Sequence, residues 1–239
     1  MLGYLDPAYA PECRWFGRLE DGAVRTLVLV YEGMSRPAMF VSGRADGVSP
    51  LLRQLRGELP ERVLGRVANG LLDAVKTVYH PTGEMRMMMR MGLNRTTFRG
   101  RDNGEDDPDV VQLSHRDTAA ILQTYAVWPD HFFDPYQLGS GYYYGIRGDD
   151  GVIASIAGIH TVSEQYDVAA IGNLVTHPDY RGRGYAKRTT AVLLRHLFER
   201  VGLVTLDVQS GNVPAIRTYQ HFGFQPSAEY FEGELVLKG

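Results

Sequence analysis

Cysteine is almost missing from this sequence. Cys13 is the only one in 239 residues, so it closes no internal disulfide and offers no thiolate cluster for a metal. That usage fits a reducing compartment. The seven histidines show neither the HExxH pattern nor Cys/His ligand spacing, so no metal is expected. Long hydrophobic runs are also lacking. Stretches such as LVLVY at 27–31 fall far short of the roughly 20 apolar residues that cross a bilayer. The opening MLGYLDPAYAPE has neither a basic head nor an apolar run, so no signal peptide is expected. Nor is there an excess of positive charge. Lys and Arg number 25 against 28 Asp and Glu, a net charge of −3, which argues against a dedicated nucleic-acid binder. The expectation is a cytoplasmic protein with no membrane and no nucleic acid among its partners.

What is present is an ordinary folded composition, 44% hydrophobic and 22% charged. A chain of this length buries one large core or two smaller ones. The clearest break is FRGRDNGEDDPD at 98–109, polar and charged, with the composition of a linker or long loop. It divides the chain into residues 1–100, expected to form a smaller α/β domain, and residues 110–239. A single continuous domain with a charged loop is the alternative.

In the first part, CRWFGRLEDGAVRTLVLVYEG holds two strand-like runs joined by Asp21-Gly22, a favoured hairpin dipeptide. RPAMFVSG reads as a further strand. VSPLLRQLRGEL has helical apolar spacing and is expected to start at Ser49-Pro50. In GEMRMMMRMG, Met85, Met87, Met89 and Met91 recur at a period of two, which predicts a strand with one apolar face. In the second part, VVQLSHRDTAAILQTYA predicts a short strand and then a helix capped by Ser114 or Asp117. Strands are expected around 142–147 and 152–160, joined by a turn at Gly148–Gly151. The order of this second part is β-α-β-β-β-α-β-α-β, a mixed α/β sheet.

Against this background RGRGYAKR, residues 181–188, stands out. It lies between an apolar β-rich run ending near Pro178 and a helix with apolar residues from Tyr185 to Val201. A helix N-terminus has unpaired N–H groups and a partial positive charge. Glycines let the backbone approach a ligand, so this unit makes an anion site. Arg181, Arg183 and Lys187 add charge-assisted contacts. Neither the P-loop nor the dinucleotide fingerprint fits it.

What does match is Arg181-x-x-Gly184-x-Ala186, followed downstream by Asn212, Ala215, Tyr219, Gly223 and Phe224 in NVPAIRTYQHFGF. In this order and spacing the two motifs resemble those of the GNAT superfamily of acyl-CoA-dependent N-acetyltransferases, over about residues 110–235. The resemblance implies a GNAT-like acyltransferase fold there, with residues 1–100 a possible degenerate GNAT-like copy. It also implies transfer of an acyl group, most often acetyl, from coenzyme A to an amine. Acetyl-CoA or another acyl-CoA is then the co-substrate, and the partner a small molecule or the amino group of a larger one. The alternative is a non-catalytic acyl-CoA-binding regulator.

Roles follow from the resemblance. Leu174, Val175 and Thr176 border a gap in the sheet and pair with the pantetheine arm. Arg181, Gly182, Arg183, Gly184, Tyr185, Ala186 and Lys187 hold the pyrophosphate. Asn212 contacts the arm, caps its helix, or does both. Tyr219 is the general acid for the departing thiolate, with packing on the helix as its other reading. Some relatives place a glutamate base in the strand before the loop. Here Ala170 stands near that position and no carboxylate lies between Val168 and Pro178. His160 and Glu164 are the nearest substitutes, and Glu164 is taken as the base. Aromatics of residues 125–144, with Asp130 and Asp134, are expected to wall the acceptor site or to serve as core and cap. Residues 1–100 cover that site or mediate a homodimer.

Overall fold

The computed structural model describes residues 1–100, 107–128, 133–149 and 151–239. The linker expected at 98–109, the turn at Gly148–Gly151 and the acceptor wall with Asp130 therefore lie partly outside the described residues. The chain forms two compact units. The first holds Met1–Arg90, Gln209–Gly211 and Ser227–Gly239, the second Met91–Val208 and Asn212–Pro226. Among the described residues no helix is long and apolar enough to cross a membrane.

The first unit opens with β1 (Cys13–Glu20) and β2 (Ala23–Tyr31), paired antiparallel. Asp21 and Gly22 take φ of 50° and 74°, the left-handed pair that a two-residue hairpin turn requires. β3 (Ala38–Ser42) pairs with β2, and α1 (Ala45–Gln54) crosses over to β4 (Arg62–Ala68), parallel to β3. α2 (Leu72–Val75), β5 (Tyr79–Pro81) and β6 (Arg86–Asn94) follow. The final strand of the chain, β12 (Gln225–Leu237), returns to pair antiparallel with β4 and β5. Val48, Leu51, Leu52 and Leu55 recur at helical spacing and put α1 on a core of Val28, Val30, Met39, Val41, Val63, Val67 and Leu235. Tyr4, Leu29, Tyr31 and Phe40 cover the other face.

Two expectations are corrected here. α1 begins at Ala45, four residues before Ser49-Pro50, and Pro50 lies inside it. Gly47 permits this, because a Cβ there would stand 2.3 Å from Thr26 Oγ1 on β2. The methionine-rich run is a strand, but its two faces do not divide cleanly. Only Met91 and then Leu93 are fully buried, and the methionines before them are half-buried on both faces.

The second unit contains β7 (Val110–Gln112), α3 (Thr118–Tyr125), β8 (Tyr144–Arg147), β9 (Ile153–Ser163) and β10 (Val168–Thr176). Then come α4 (Tyr185–Arg200), β11 (Leu203–Gln209) and α5 (Val213–Phe222). With β12 this is the β-α-β-β-β-α-β-α-β order expected. Ser114 and Asp117 form a reciprocal capping box on the turn that leads into α3. The sheet runs β11-β10-β9-β8-β7, with β10 and β11 parallel and the others antiparallel. α4 covers one face through Thr189, Val192, Leu193 and Leu197, all buried. Tyr144 of β8 stacks on His196 of α4 at 5.1 Å between ring centres, which identifies that face.

Candidate active site

The site begins where β10 leaves β11. Their parallel pairing runs from Val168↔Leu203 to Ile171↔Leu206 and stops, although both strands continue. On its other edge β10 stays paired with β9 as far as Thr176↔Ser155. Leu174, Val175 and Thr176 therefore lie in the stretch that has diverged from β11. Two residues, Asn173 and Leu174, stand between the pairs Gly172↔Gly158 and Val175↔Ile156 where one would fit a regular ladder. This is a β-bulge, and Asn173 takes φ of 57° in it.

A clasp of buried polar groups holds that bulge. Asn173 Nδ2 donates to Tyr143 Oη at 2.7 Å and to Gln137 Oε1 at 3.0 Å. Tyr125 Oη donates to the Asn173 carbonyl at 2.7 Å, and Tyr143 Oη to the Ile159 carbonyl at 3.0 Å. All four side chains are buried, so each bond is made out of competition with water. The phenol of Tyr125 is pushed well above its ordinary range by burial. Sequence reasoning missed this clasp. An Asn in an otherwise apolar strand, directly after Gly172, was the available signal, since Asn is enriched at positive φ.

Beyond Thr176, His177 opens a short 3-10 turn, Pro178–Tyr180, and its ring nitrogen Nδ1 accepts from the Asp179 N–H. The basic segment follows. Gly182 and Gly184 take φ of 76° and 77°, and a Cβ built on either would meet nothing within 4 Å. Their glycine is thus required by backbone conformation, not by crowding within the protein. Gly184 stands at the start of α4 and, among the described residues, no side chain caps that end, so its first N–H groups have no side-chain acceptor there. Ala186 and Tyr185 form the first turn.

The cations of the segment differ in their duties. Arg181 lies over the Trp128 ring at 4.6 Å. Arg183 lies over Tyr180 at 4.9 Å and donates to the Asp179 carbonyl. Lys187 lines a groove of about 640 Å³ with Arg99, Arg195 and His221. Arg188 instead forms a fork with Asp107 and an ion pair with Asp109. Its charge is spent on anchoring α4 to the segment before β7. The Arg188 hydrogen bond, the first cause, holds the Asp107 carboxyl below the usual range.

α5 supplies the second motif. Asn212 Oδ1 accepts from the Ala215 N–H at 3.2 Å, so it caps the helix. Gly223 ends it at φ of 101°. Tyr219 is buried, edge-on to Phe224 at 6.0 Å, and burial pushes its phenol up to about 12.

Glu164 is not brought to this site. β9 and β10 run antiparallel, so Glu164, just past the end of β9, lies by Val168 rather than Thr176. That is the opposite end of β10, roughly 25 Å away by strand rise. There Glu164 pairs with Arg200, the last residue of α4, at 3.8 Å, and both are exposed. His160 lies within β9, not after it. Asp134 caps the turn Pro135–Ser140 through the Tyr136 N–H, with Gln137 answering to its own N–H. Phe133 stacks on Tyr125 at 5.1 Å. Within the described part of the 125–144 wall, Asp134 is thus a cap, and Tyr125, Gln137 and Tyr143 belong to the clasp.

Comparison with known proteins bears on this arrangement. Residues 109–224 match the acetyltransferase (GNAT) family. The mycothiol acetyltransferase of Mycobacterium ulcerans is 31% identical over 154 residues, 56% of this chain and 47% of that one. This chain thus spans about half the length of that relative. Among solved structures, a putative GNAT-family acetyltransferase from Novosphingobium aromaticivorans superposes with a TM-score of 0.67. It shares 18% identity and covers 99% of this chain and 96% of its own. A tandem GNAT protein from the clavulanic acid biosynthesis pathway gives 0.61 at 14% identity, over 100% of this chain and 87% of its own. At these identities the two structures establish a shared fold.

Proposed function

The chain carries a GNAT acetyltransferase domain over residues 109–224, and from that premise we propose an acetyl-CoA-dependent N-acetyltransferase acting on a primary amine. The amine is free or borne on a larger molecule. One observation carries the reading: a single β-loop-α unit joins a strand that has left its neighbour to a glycine loop in which a Cβ at Gly182 or Gly184 would meet no described atom within 4 Å. Gly182 and Gly184 leave the space that a pyrophosphate needs, and the uncapped start of α4 supplies the field and the donors. Arg181, Arg183 and Lys187 add charge at its rim. Leu174, Val175 and Thr176 offer a backbone edge to an extended pantetheine arm. An N–H near Val175 polarises the thioester carbonyl as an oxyanion donor does. Asn212 keeps α5, and with it Tyr219, in register. A phenol with a pKa of about 12 stays protonated at neutral pH and gives its proton to the departing thiolate.

The first unit has the same order of an antiparallel pair, a parallel crossover through a helix, and a closing strand, which supports reading it as a GNAT-like copy. Yet only Gly43 and Arg44 join β3 to α1, and β3 stays paired with β4 from Ala38 to Val41. It has neither the loop nor the gap, so one acetyl-CoA binds per chain. The test is release of free thiol from acetyl-CoA across a panel of amines, with the N-acetyl product identified by mass. Turnover requiring both substrates supports the proposal. Binding of acetyl-CoA without turnover on a broad panel favours a regulator, and no binding defeats both.

A further inference from the structure

The ladder between β9 and β10 carries a second irregularity. Ile171 pairs with Ile159, but Ala170 pairs with Thr161. His160 is the extra residue, a bulge in β9 two positions before the bulge in β10. Bulges re-aim side chains next to active sites, and this one aims an imidazole. A Cβ built on Gly172 would stand 2.0 Å from His160 Nε2 and 2.4 Å from its Cδ2. The ring therefore lies flat across Gly172, in the place a side chain would fill. On the adjoining strand Gly158 does the same for Tyr143, whose ring carbons would stand 2.3–2.6 Å from an added Cβ. Two neighbouring glycines thus seat two rings side by side.

The face and the level both matter. Ile171 pairs with Leu206 and, through Ile159, lies on the face covered by α4, so Gly172 and the His160 ring lie on the opposite face. Gly172 is the first residue of β10 after pairing with β11 has ended. His160 is half-buried there, at the level of Gly172, which stands one residue before Asn173 and two before Leu174. The strand itself has no carboxylate from Val168 to Pro178.

We propose that His160 is the general base that deprotonates the amine acceptor. This rests on the acetyltransferase reading above. The ammonium gives one proton to His160, and its nitrogen lone pair attacks the thioester carbonyl carbon. The C–N bond forms, the C–S bond breaks, and the thiolate takes a proton from Tyr219. The nitrogen sheds its second proton. Of the two lost by the ammonium, one ends on the thiol by way of Tyr219 and one reaches solvent through His160. Among the described residues, Tyr143 before β8, Tyr125 of α3 and Asp207 of β11 are titratable groups that lie on this face. The two phenols belong to the Asn173 clasp, and burial pushes that of Tyr125 well above its ordinary range. Asp207, one residue beyond the last parallel pair, is the carboxylate that faces the imidazole's side of the sheet.

The test is the pH dependence of kcat/KM for wild type and His160→Gln, beside titration of each with acetyl-CoA. Wild type should show an acid limb in the range where imidazoles titrate, between about pH 5 and 8. His160→Gln should lose kcat by about 10²–10⁴-fold, lose that limb, and hold acetyl-CoA within twofold of wild type. An unchanged kcat and limb in His160→Gln overturns the proposal. So does loss of acetyl-CoA binding in that variant, which makes the residue structural. A wild-type profile flat across that range overturns it with no variant needed. A wild type that transfers no acetyl group to any amine defeats the acetyltransferase reading instead.

Discussion

Gly184→Ala separates the cost of a backbone from the loss of a ligand. Gly184 holds φ of 77°, and an added Cβ would meet no atom within 4 Å. The substitution therefore carries no clash, only the strain of a left-handed alanine, about 1–2 kcal/mol. For a chain of this size that lowers Tm by roughly 2–8 °C. The methyl group, however, projects where the pyrophosphate is to lie, at the start of α4. Losing charge-assisted hydrogen bonds there costs about 1.5–3 kcal/mol, or roughly 10- to 150-fold in the Kd for acetyl-CoA. The control is Gly22→Ala in the β1–β2 turn. Gly22 has φ of 74° and likewise nothing within 4 Å, so its strain is the same and its site is elsewhere. Calorimetric titration and thermal melts on both variants give the comparison. Equal melting losses with weakened binding only in Gly184→Ala is the expected outcome. Acetyl-CoA binding within twofold of wild type in Gly184→Ala refutes the cradle.

Three further outcomes are expected. Tyr219→Phe should lower kcat by about 100-fold or more while leaving the Kd for acetyl-CoA in place, and wild type should show no alkaline limb from this phenol below about pH 11, as its pKa is about 12. An unaltered kcat would leave Tyr219 as packing. Asp107→Asn should destabilise the protein at pH 7 by no more than about 1 kcal/mol, because the Arg188 pair is partly exposed. The Asp107 carboxyl is lowered in the fold, so its contribution is present above the unfolded value near 3.9 and fades as pH falls through the folded one. Urea melts of the two proteins should therefore draw together as pH falls below the unfolded value, and a gap that stays constant into strong acid would contradict the pair's role. Cys13, pushed up to about 11 by burial first and Glu12 second, should react with a thiol reagent at pH 8 about 100-fold more slowly than a free thiol. A rate equal to that of glutathione would show it to be open.

The parts of this site that are local in sequence were legible there. The glycines of 181–184 declare their conformation by residue type, and Asn212, Tyr219 and Gly223 are fixed by the register of one helix. The hairpin at Asp21-Gly22 was legible for the same reason. What depends on the pairing of two strands was not. Glu164 is close to β10 in sequence, but an antiparallel turn puts it at the wrong end of that strand, beside Arg200. His160 reaches Gly172 only because β9 holds one more residue than its partner at that point. The bulge at Asn173 needs Gln137, Tyr143 and Tyr125, which come from 30 to 48 residues away. Arg188 belongs to the basic segment by sequence and to Asp107 by structure.

The central claim is that the 181–187 segment and the diverging end of β10 receive acyl-CoA. A crystal structure with bound coenzyme A tests it most directly. The expected result is one molecule per chain, its pyrophosphate on the N–H groups of residues 181–186 and its pantetheine arm along Leu174–Thr176, with the thiol near Tyr219. Coenzyme A seated elsewhere in the second unit, or on the first unit between β3 and β4, would contradict the account.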